Sequence, residues 1–184
     1  MDVAAPLRRH MAGVTLMEVL TTSAVALTVT AVAVPAMHHF NTVQETAVAA
    51  NAIVGDLALA RHAAVTGRKA IVLCPSSDGT RCSGGFDWTD GWLVFADGDG
   101  DRQVDAEERR LSVANRPADR IRILTSSGRR KIVYRSDGTA AGTNATFRIC
   151  NARDPDRRRT VIISGTGRPR LSNRDASGRE INCE

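Results

Sequence analysis

Aromatic residues make up only 4% of this 184-residue chain. None follows Phe147, so the C-terminal region has no side chain on which a nucleic-acid base could stack. Histidine is absent from everything after residue 62, since all four histidines come earlier: His10, His38, His39 and His62. The chain also has no nucleophile elbow and no P-loop. These absences argue against an enzyme, and no cofactor is expected.

The four cysteines contain no C-x-x-C pair and have no histidine after them, which disfavours a zinc site. Three disulfide pairings are open. Cys74 and Cys82 flank the turn-rich PSSDGTR, which suits a small loop, and pairing Cys150 with Cys183 would pin the C-terminal tail. Disulfides imply an oxidising compartment outside the cytoplasm.

Charge is unevenly distributed along the chain, whose net charge is +5. Residues 1–119 hold 10 basic and 14 acidic side chains, whereas residues 120–184 hold 15 basic and 6 acidic ones. A basic C-terminal third suggests a polyanionic partner, with a solvated arginine-rich surface as the alternative.

The longest apolar run is Val14–Met37, with 16 apolar residues among 24 and Glu18 as its one charged residue. It is long enough to cross a bilayer as a helix, and Arg8 and Arg9 before it predict a cytoplasmic N-terminus. A secretory signal cleaved after Ala31-Val32-Ala33 is the rival interpretation. The carboxylate inside the run and the helical pattern beyond it argue against that alternative.

Helical periodicity continues past the apolar run, so we predict one helix from Val14 to near Thr66. Pro35 should kink or locally loosen this helix, and Gly67 should cap its C-terminus. One face of its second half is apolar: Ala50, Ile53, Leu57, Ala60 and Ala64. Short β-type runs separated by turn residues follow, which predicts an α+β fold with a β-rich head. These runs are Lys69–Cys74, Trp92–Phe95, Arg109–Val113, Ile121–Leu124, Lys131–Arg135, Thr146–Cys150, Thr160–Ser164 and Arg168–Ser172.

The N-terminal pattern resembles that of type IV pilin-like proteins: a basic leader, Gly13, an apolar helix with Glu18 as its fifth residue, and Pro35 as its twenty-second. The resemblance implies that a prepilin peptidase cleaves after Gly13 and methylates Val14, although most members have Phe there. It also implies that Glu18 pairs with the N-terminal amine of a neighbouring subunit. The domains are then a leader (1–13), a helix (14–66, transmembrane over about 14–37) and a head (67–184).

Two segments resemble the FimT/GspH-like minor pilins and pseudopilins: Gly84–Glu108 in the head, and Leu57–Ser76, where the helix ends and the first predicted strand follows. The resemblance implies a single-pass inner-membrane protein with a periplasmic head, later incorporated with other pilin or pseudopilin subunits into a filament. Two roles are open. FimT-like proteins belong to type IV pili, and GspH-like proteins sit at the tip of a type II secretion pseudopilus.

The segment Gly167-Arg168-Pro169-Arg170 resembles the G-R-x-R element of FimT relatives implicated in DNA uptake. Arginines two apart in an extended segment point to the same side, and Pro169 favours extension. They could bind phosphates, so DNA binding during natural transformation is the preferred function. Other basic residues could widen the patch: Arg157, Arg158, Arg159, Arg174 and Arg179, with Arg129, Arg130 and Lys131.

The acidic loop Asp97–Glu108 has carboxylates at EF-hand-like positions, so calcium could bind through Asp97, Asp99, Asp101 and Glu108. Arg102 stands where the EF-hand loop needs Gly, and the flanking runs read as strands. A metal-free connecting loop is therefore favoured, and a secreted calcium-binding module is the third functional alternative.

Overall fold

The computed structural model describes residues 13–126, 128–140 and 142–183, apart from the side chains of 34–36, 38–43, 155 and 157. One helix, α1 (Leu16–Gly67), precedes eight strands, and the predicted α+β fold is confirmed. The strands are β1 (Ala70–Pro75), β2 (Gly91–Asp97), β3 (Arg110–Asn115), β4 (Ile121–Thr125), β5 (Ile132–Tyr134), β6 (Ala145–Asn151), β7 (Asp154–Ile163) and β8 (Pro169–Ser172).

Each of the eight strands overlaps one of the eight predicted runs, and the largest difference is in β7. Strand β7 begins at Asp154, six residues before the predicted start at Thr160. Its first six residues are Asp-Pro-Asp-Arg-Arg-Arg, and this charged run hides the strand pattern in the sequence. Pairing with β6 nevertheless continues to its first residue, where Asn151 lies opposite Asp154.

The chain divides into two compact units, residues 1–40 and 41–184. In the first unit, Leu16–Ala33 is fully exposed, with a mean hydropathy of 1.7, and is long and apolar enough to span a membrane. Gln44–Gly67, in the second unit, passes the same test at 1.2, but a third of it is buried. Helix α1 is continuous past Pro35, so the proline does not end it.

The second half of α1 supplies one side of the head's core. The predicted apolar face is confirmed, because Ala50, Ile53, Leu57, Ala60 and Ala64 are each at most 1% exposed. Burial of Ile53 and Leu57 contributes about 1.5–3 kcal/mol each.

Two antiparallel sheets supply the rest of the core. Sheet A has the order β3-β2-β1-β5, and sheet B has the order β4-β6-β7-β8. Side chains from one face of each sheet join those of α1 in one cluster, including Trp92 and Tyr134 from sheet A and Phe147 and Val161 from sheet B. Trp88 packs edge-to-face on Phe147 at a centroid distance of 4.9 Å.

Sheet A is also covered on its second face. Val72, Cys74, Leu93 and Phe95 form a smaller buried cluster there, beneath Val104 of the acidic loop. Strands β1 and β2 are therefore buried on both sides, which explains why their sequences read as continuous apolar runs rather than as alternating ones.

The end of α1 differs from the sequence expectation. Gly67 was predicted to cap the helix, but Gly67 is the last helical residue and Arg68 adopts the left-handed conformation, with φ +50°. The prediction was wrong by one position. A side chain tolerates this conformation at a cost of about 1–2 kcal/mol.

Candidate functional site

The arginines of the Gly-Arg-Pro-Arg element lie at the edge of sheet B. Arg170 is in β8, directly opposite Ile162 of β7. Residues opposite each other in an antiparallel pair share a face, and Val161 and Ile163 on either side of Ile162 belong to the core. Arg170 therefore lies on the face of sheet B that points away from α1, called the outer face below.

Both arginines of the element are available to a ligand. The side chains of Arg168 and Arg170 are exposed, and neither side chain makes a hydrogen bond or ion pair within residues 13–126, 128–140 and 142–183. Strand β8 is the last strand of its sheet, so one of its edges is not paired with another strand. Two unpaired guanidinium groups at such an edge have the charge and the donors that phosphate binding would require.

Gly167 holds this element against the head. Its φ is +78°, and a Cβ there would lie 2.3 Å from the Gly138 carbonyl oxygen. The Tyr134 hydroxyl donates to the Gly167 carbonyl oxygen at 3.0 Å. The Gly138 carbonyl oxygen in turn accepts from Arg61 Nε, also at 3.0 Å. The glycine is therefore required by conformation and by close approach.

The Tyr134 hydroxyl stays a donor over a wide pH range. Burial raises the pKa of Tyr134 to about 12, while the positive charge of Arg61 acts in the opposite direction. The hydrogen bond to Gly167 therefore persists wherever the head is folded below that pH.

Two disulfides join Cys74 to Cys82 and Cys150 to Cys183. The second ties the C-terminal tail, residues 173–183, across the outer face of sheet B. Ile181 of the tail is 3% exposed, and its carbonyl oxygen accepts from Arg158 Nη1 at 3.1 Å. The tail is thus an ordered part of the head.

Several of the predicted DNA-binding arginines hold this tail in place. Arg158 pairs with Glu180 at 3.0 Å, and Arg174 Nη1 donates to the Gly178 carbonyl oxygen at 3.0 Å. Arg159 is half-buried in β7, and the side chain of Arg157 lies outside the described residues. The structure therefore separates the predicted patch into tail-bound arginines and the unpaired Arg168 and Arg170.

A turn in the tail engages the remaining arginine. Arg179 pairs with Asp175 at 3.3 Å. Hydrogen bonds from the Ser177 hydroxyl and then from the Arg179 backbone N–H lower the pKa of Asp175 to about 2. This arginine is therefore compensated by a carboxylate that stays ionised above that pH.

The acidic loop is organised by its own backbone. Asp97 Oδ1 accepts from the Gly100 N–H at 2.9 Å, and Glu108 Oε1 accepts from the Gly98 N–H at 2.7 Å. Carboxylate oxygens of Asp97, Asp99 and Glu108 lie within 4.8 Å of one another, and Arg102 takes the left-handed conformation at φ +62°. Asp101 belongs to a second group with Asp99 and Asp105. The metal-free loop stays the prediction here, with calcium binding as its alternative.

The start of α1 contains a feature that the sequence interpretation missed. Thr15 precedes the helix, and its Oγ1 accepts from the Glu18 N–H at 3.2 Å. The spacing Thr-x-x-Glu is that of a capping box, and a carboxylate at a helix N-terminus is stabilised by the helix dipole. Gly13 and Val14 lie before the helix, both exposed, and residues 1–12 are outside the described ranges. The processing and assembly roles stay predictions.

An exposed apolar helical segment continuing into the core helix of an antiparallel two-sheet head defines the class of type IV pilin-like subunits. The head resembles the type IV minor pilin FimU of Pseudomonas aeruginosa strain PAO1, with 25% identity over 74% of this chain and 92% of that one, at a TM-score of 0.52. The minor pseudopilin EpsH of the Vibrio cholerae type 2 secretion system shares the fold, with 14% identity over 70% and 96% at a TM-score of 0.51.

The family model for the type II transport protein GspH matches residues 49–167, which is more than half of the sequence, so the chain belongs to the GspH family. Among proteins with curated functions, none matches significantly. The protein is thus a minor pilin or pseudopilin of a type IV pilus or type II secretion system. Such proteins are structural subunits that assemble with other pilin subunits, and the apolar helix fits a membrane anchor.

The family match ends at Gly167, one residue before the first arginine of the element. Membership of the family therefore leaves the role of Arg168 and Arg170 to be argued from their own geometry.

Proposed function

We propose that this minor pilin binds DNA through Arg168 and Arg170 and serves DNA uptake in natural transformation. The observation that carries the proposal is the exposure of both arginines, without a partner in the described part of the chain, at the open edge of sheet B. Arg158, Arg174 and Arg179 of the predicted patch are instead bonded to the tail or within it.

The chemistry of the element favours contact with the phosphate backbone. A guanidinium group binds phosphate through two parallel hydrogen bonds, and the region offers no aromatic side chain for base stacking. Binding should therefore be largely independent of sequence and sensitive to salt, because each phosphate contact releases counterions.

The test is a mobility-shift titration of the full-length chain in a non-ionic detergent, with duplex DNA at two salt concentrations. Arg168→Ala/Arg170→Ala is compared with Arg109→Ala/Arg110→Ala, which removes two exposed arginines at the start of β3, in the other half of the head's two-sheet core. Loss of binding in the first variant and near wild-type binding in the second would support the proposal. Absence of binding by the wild type at low salt, or equal losses in both variants, would overturn it.

A second candidate role is that of a pseudopilin at the tip of a type II secretion system, supported by the family model's own description. The head would then contact other minor pseudopilins or cargo instead of DNA. A gene deletion separates the two roles: reduced transformation with normal protein secretion supports the pilus role, and the reverse phenotype supports the secretion role.

The N-terminal predictions complete the proposal. Cleavage after Gly13 and methylation of Val14 would produce the mature subunit, which would be held in the inner membrane by its single apolar helix. During assembly, Glu18 would pair with the N-terminal amine of a neighbouring subunit. Mass spectrometry of the protein from membranes tests this. A first residue other than Val14 would refute it.

A further inference from the structure

A cleft of 520 Å³ opens on the outer face of sheet B, beside the strand that carries Arg170. Its lining residues are Ser126, Gly128, Arg129, Asn144, Ala145, Thr146, Ile162, Ile163 and Ala176. The set contains one arginine, several neutral hydrogen-bonding side chains and no carboxylate. The cleft therefore carries net positive charge from its own walls.

The position of Arg129 in this cleft is fixed by the protein. Arg129 Nη1 donates to the Gly142 carbonyl oxygen at 3.0 Å, and Nη2 donates to Asn144 Oδ1 at 3.4 Å. Its backbone carbonyl accepts from the hydroxyl of the fully buried Thr125 at 2.7 Å. Both side-chain acceptors are neutral, so the arginine keeps its full charge and has further N–H donors for a ligand.

The cleft and Arg170 lie along one row of the sheet. Thr146 of β6 lies opposite Ile162 of β7, and Ile162 lies opposite Arg170 of β8. On the other side, the Thr146 N–H donates to Ser126 Oγ at 3.3 Å, in the loop that carries Arg129. Three strand spacings of about 4.8 Å make this row about 14 Å wide. One strand of DNA presents a phosphate about every 3.4 Å along the duplex axis, so the row spans several phosphates. Ile162 in the middle of the row is only 4% exposed, so phosphates would be bound at its two ends rather than along it.

We propose that one phosphate of the bound DNA backbone enters the 520 Å³ cleft beside Arg129 on the β4–β5 loop, while Arg168 and Arg170 bind other phosphates of the same backbone at the edge of sheet B. The proposal rests on the DNA-binding function put forward above and specifies the path of the DNA. Ser126, Asn144 and Thr146 contribute neutral hydrogen-bonding groups along this path.

The other cleft near the predicted arginines is a poorer site for DNA. It measures 440 Å³ and is lined by Thr46, Asp156, Arg158, Arg159, Asn173, Arg174 and Glu180. Two carboxylates offset its three arginines, and Arg158 is already paired with Glu180. A phosphate entering it would meet negative charge, whereas the cleft beside Arg129 presents none.

The test measures DNA affinity of the full-length chain in detergent as a function of salt, for Arg129→Gln and for Arg109→Gln. Arg109 is the control, since it is an exposed arginine next to β3 in the other sheet and lies outside the cleft lining. Arg129→Gln should weaken binding about fivefold at low salt and lower the slope of log affinity against log salt by about 0.9, the loss of one phosphate contact. Arg109→Gln should leave the slope unchanged.

Arg129→Lys distinguishes a loss of charge from a change in the structure of the loop, because lysine keeps the positive charge but lacks the planar guanidinium group. It should retain the wild-type slope. Equal slopes for the wild type and Arg129→Gln, while Arg168→Ala/Arg170→Ala loses binding, would overturn this path and leave DNA binding intact. A wild type that binds no DNA would overturn both proposals. If the slope of log affinity against log salt for Arg129→Lys is as low as for Arg129→Gln, the structure of the loop determines binding rather than the charge, and this path is overturned as well.

Discussion

Replacing Gly167 by alanine tests how the arginine element is held. The substitution places a Cβ 2.3 Å from the Gly138 carbonyl oxygen and 2.9 Å from Tyr134 Cε1, on a backbone with φ +78°. Neither neighbour can move freely, because Arg61 and the Gly167 carbonyl hold them by hydrogen bonds. The local backbone must therefore shift.

The expected cost combines two effects. A side chain in the left-handed region costs about 1–2 kcal/mol, and overpacking at a tight contact costs about 1–3 kcal/mol. A loss of about 2–5 kcal/mol in the free energy of unfolding corresponds to a fall of roughly 5–15 °C in melting temperature for a head of this size. DNA binding should fall as well, since Arg168 is the next residue.

Gly165→Ala is the matched control, because a Cβ at Gly165 meets nothing within 4 Å and its φ is not in the left-handed region. We expect it to change stability by less than about 0.5 kcal/mol. Denaturant unfolding followed by circular dichroism, with the disulfides kept oxidised, measures both variants. Equal stabilities for Gly167→Ala and Gly165→Ala would refute the reasoning about the junction.

Three further predictions concern the tail, the buried tyrosine and the acidic loop. Replacing Cys150 and Cys183 by serine should lower the free energy of unfolding by about 3.7 kcal/mol, the value that the chain-entropy model gives for a sequence separation of 33. Limited proteolysis should then cleave the tail, and a tail that resists the protease would contradict this prediction. Burial raises the pKa of Tyr134 from about 10 to about 12, so its contribution of about 3 kcal/mol to the free energy of unfolding is complete below pH 10 and is lost as the pH rises to 12. The stability of Tyr134→Phe should therefore fall less steeply at alkaline pH than that of the wild type, and identical curves of stability against pH would count against this reasoning. Titration of calcium into the protein in a calorimeter should give no saturable heat, because the carboxylates of Asp97 and Glu108 already accept hydrogen bonds from backbone N–H groups. A saturable heat that the Glu108→Gln variant abolishes would instead establish a calcium site.

Much of the fold was predictable because its signals are local. The alanine-rich face of α1 and the eight apolar runs follow from periodicity, and each corresponds to an observed element. The start of β7 was missed because charged residues occupy its first half, where only the pairing with β6 defines a strand. The capping role of Thr15 was readable from its spacing to Glu18 and was overlooked.

The candidate site was less predictable, because it depends on which charges are already used. The sequence groups Arg158, Arg174 and Arg179 with Arg168 and Arg170 as equivalent basic residues. Arg158 is used by a long-range contact with Glu180, which no local pattern encodes. Arg174 and Arg179 are used by contacts four residues away within the tail, which depend on the turn that the tail adopts. The cleft beside Arg129 likewise requires the register of three strands and the position of a loop.

The contact between Gly138 and Gly167 also has a consequence for how the arginines would be displayed in a polymer. Arg61 of α1, the Gly138 carbonyl oxygen and Gly167 form a short connection from the helix to the element. The direction in which the arginines project is thereby set relative to the part of α1 within residues 41–67. Every copy of the head would therefore present its two cations in the same orientation relative to that part of the helix.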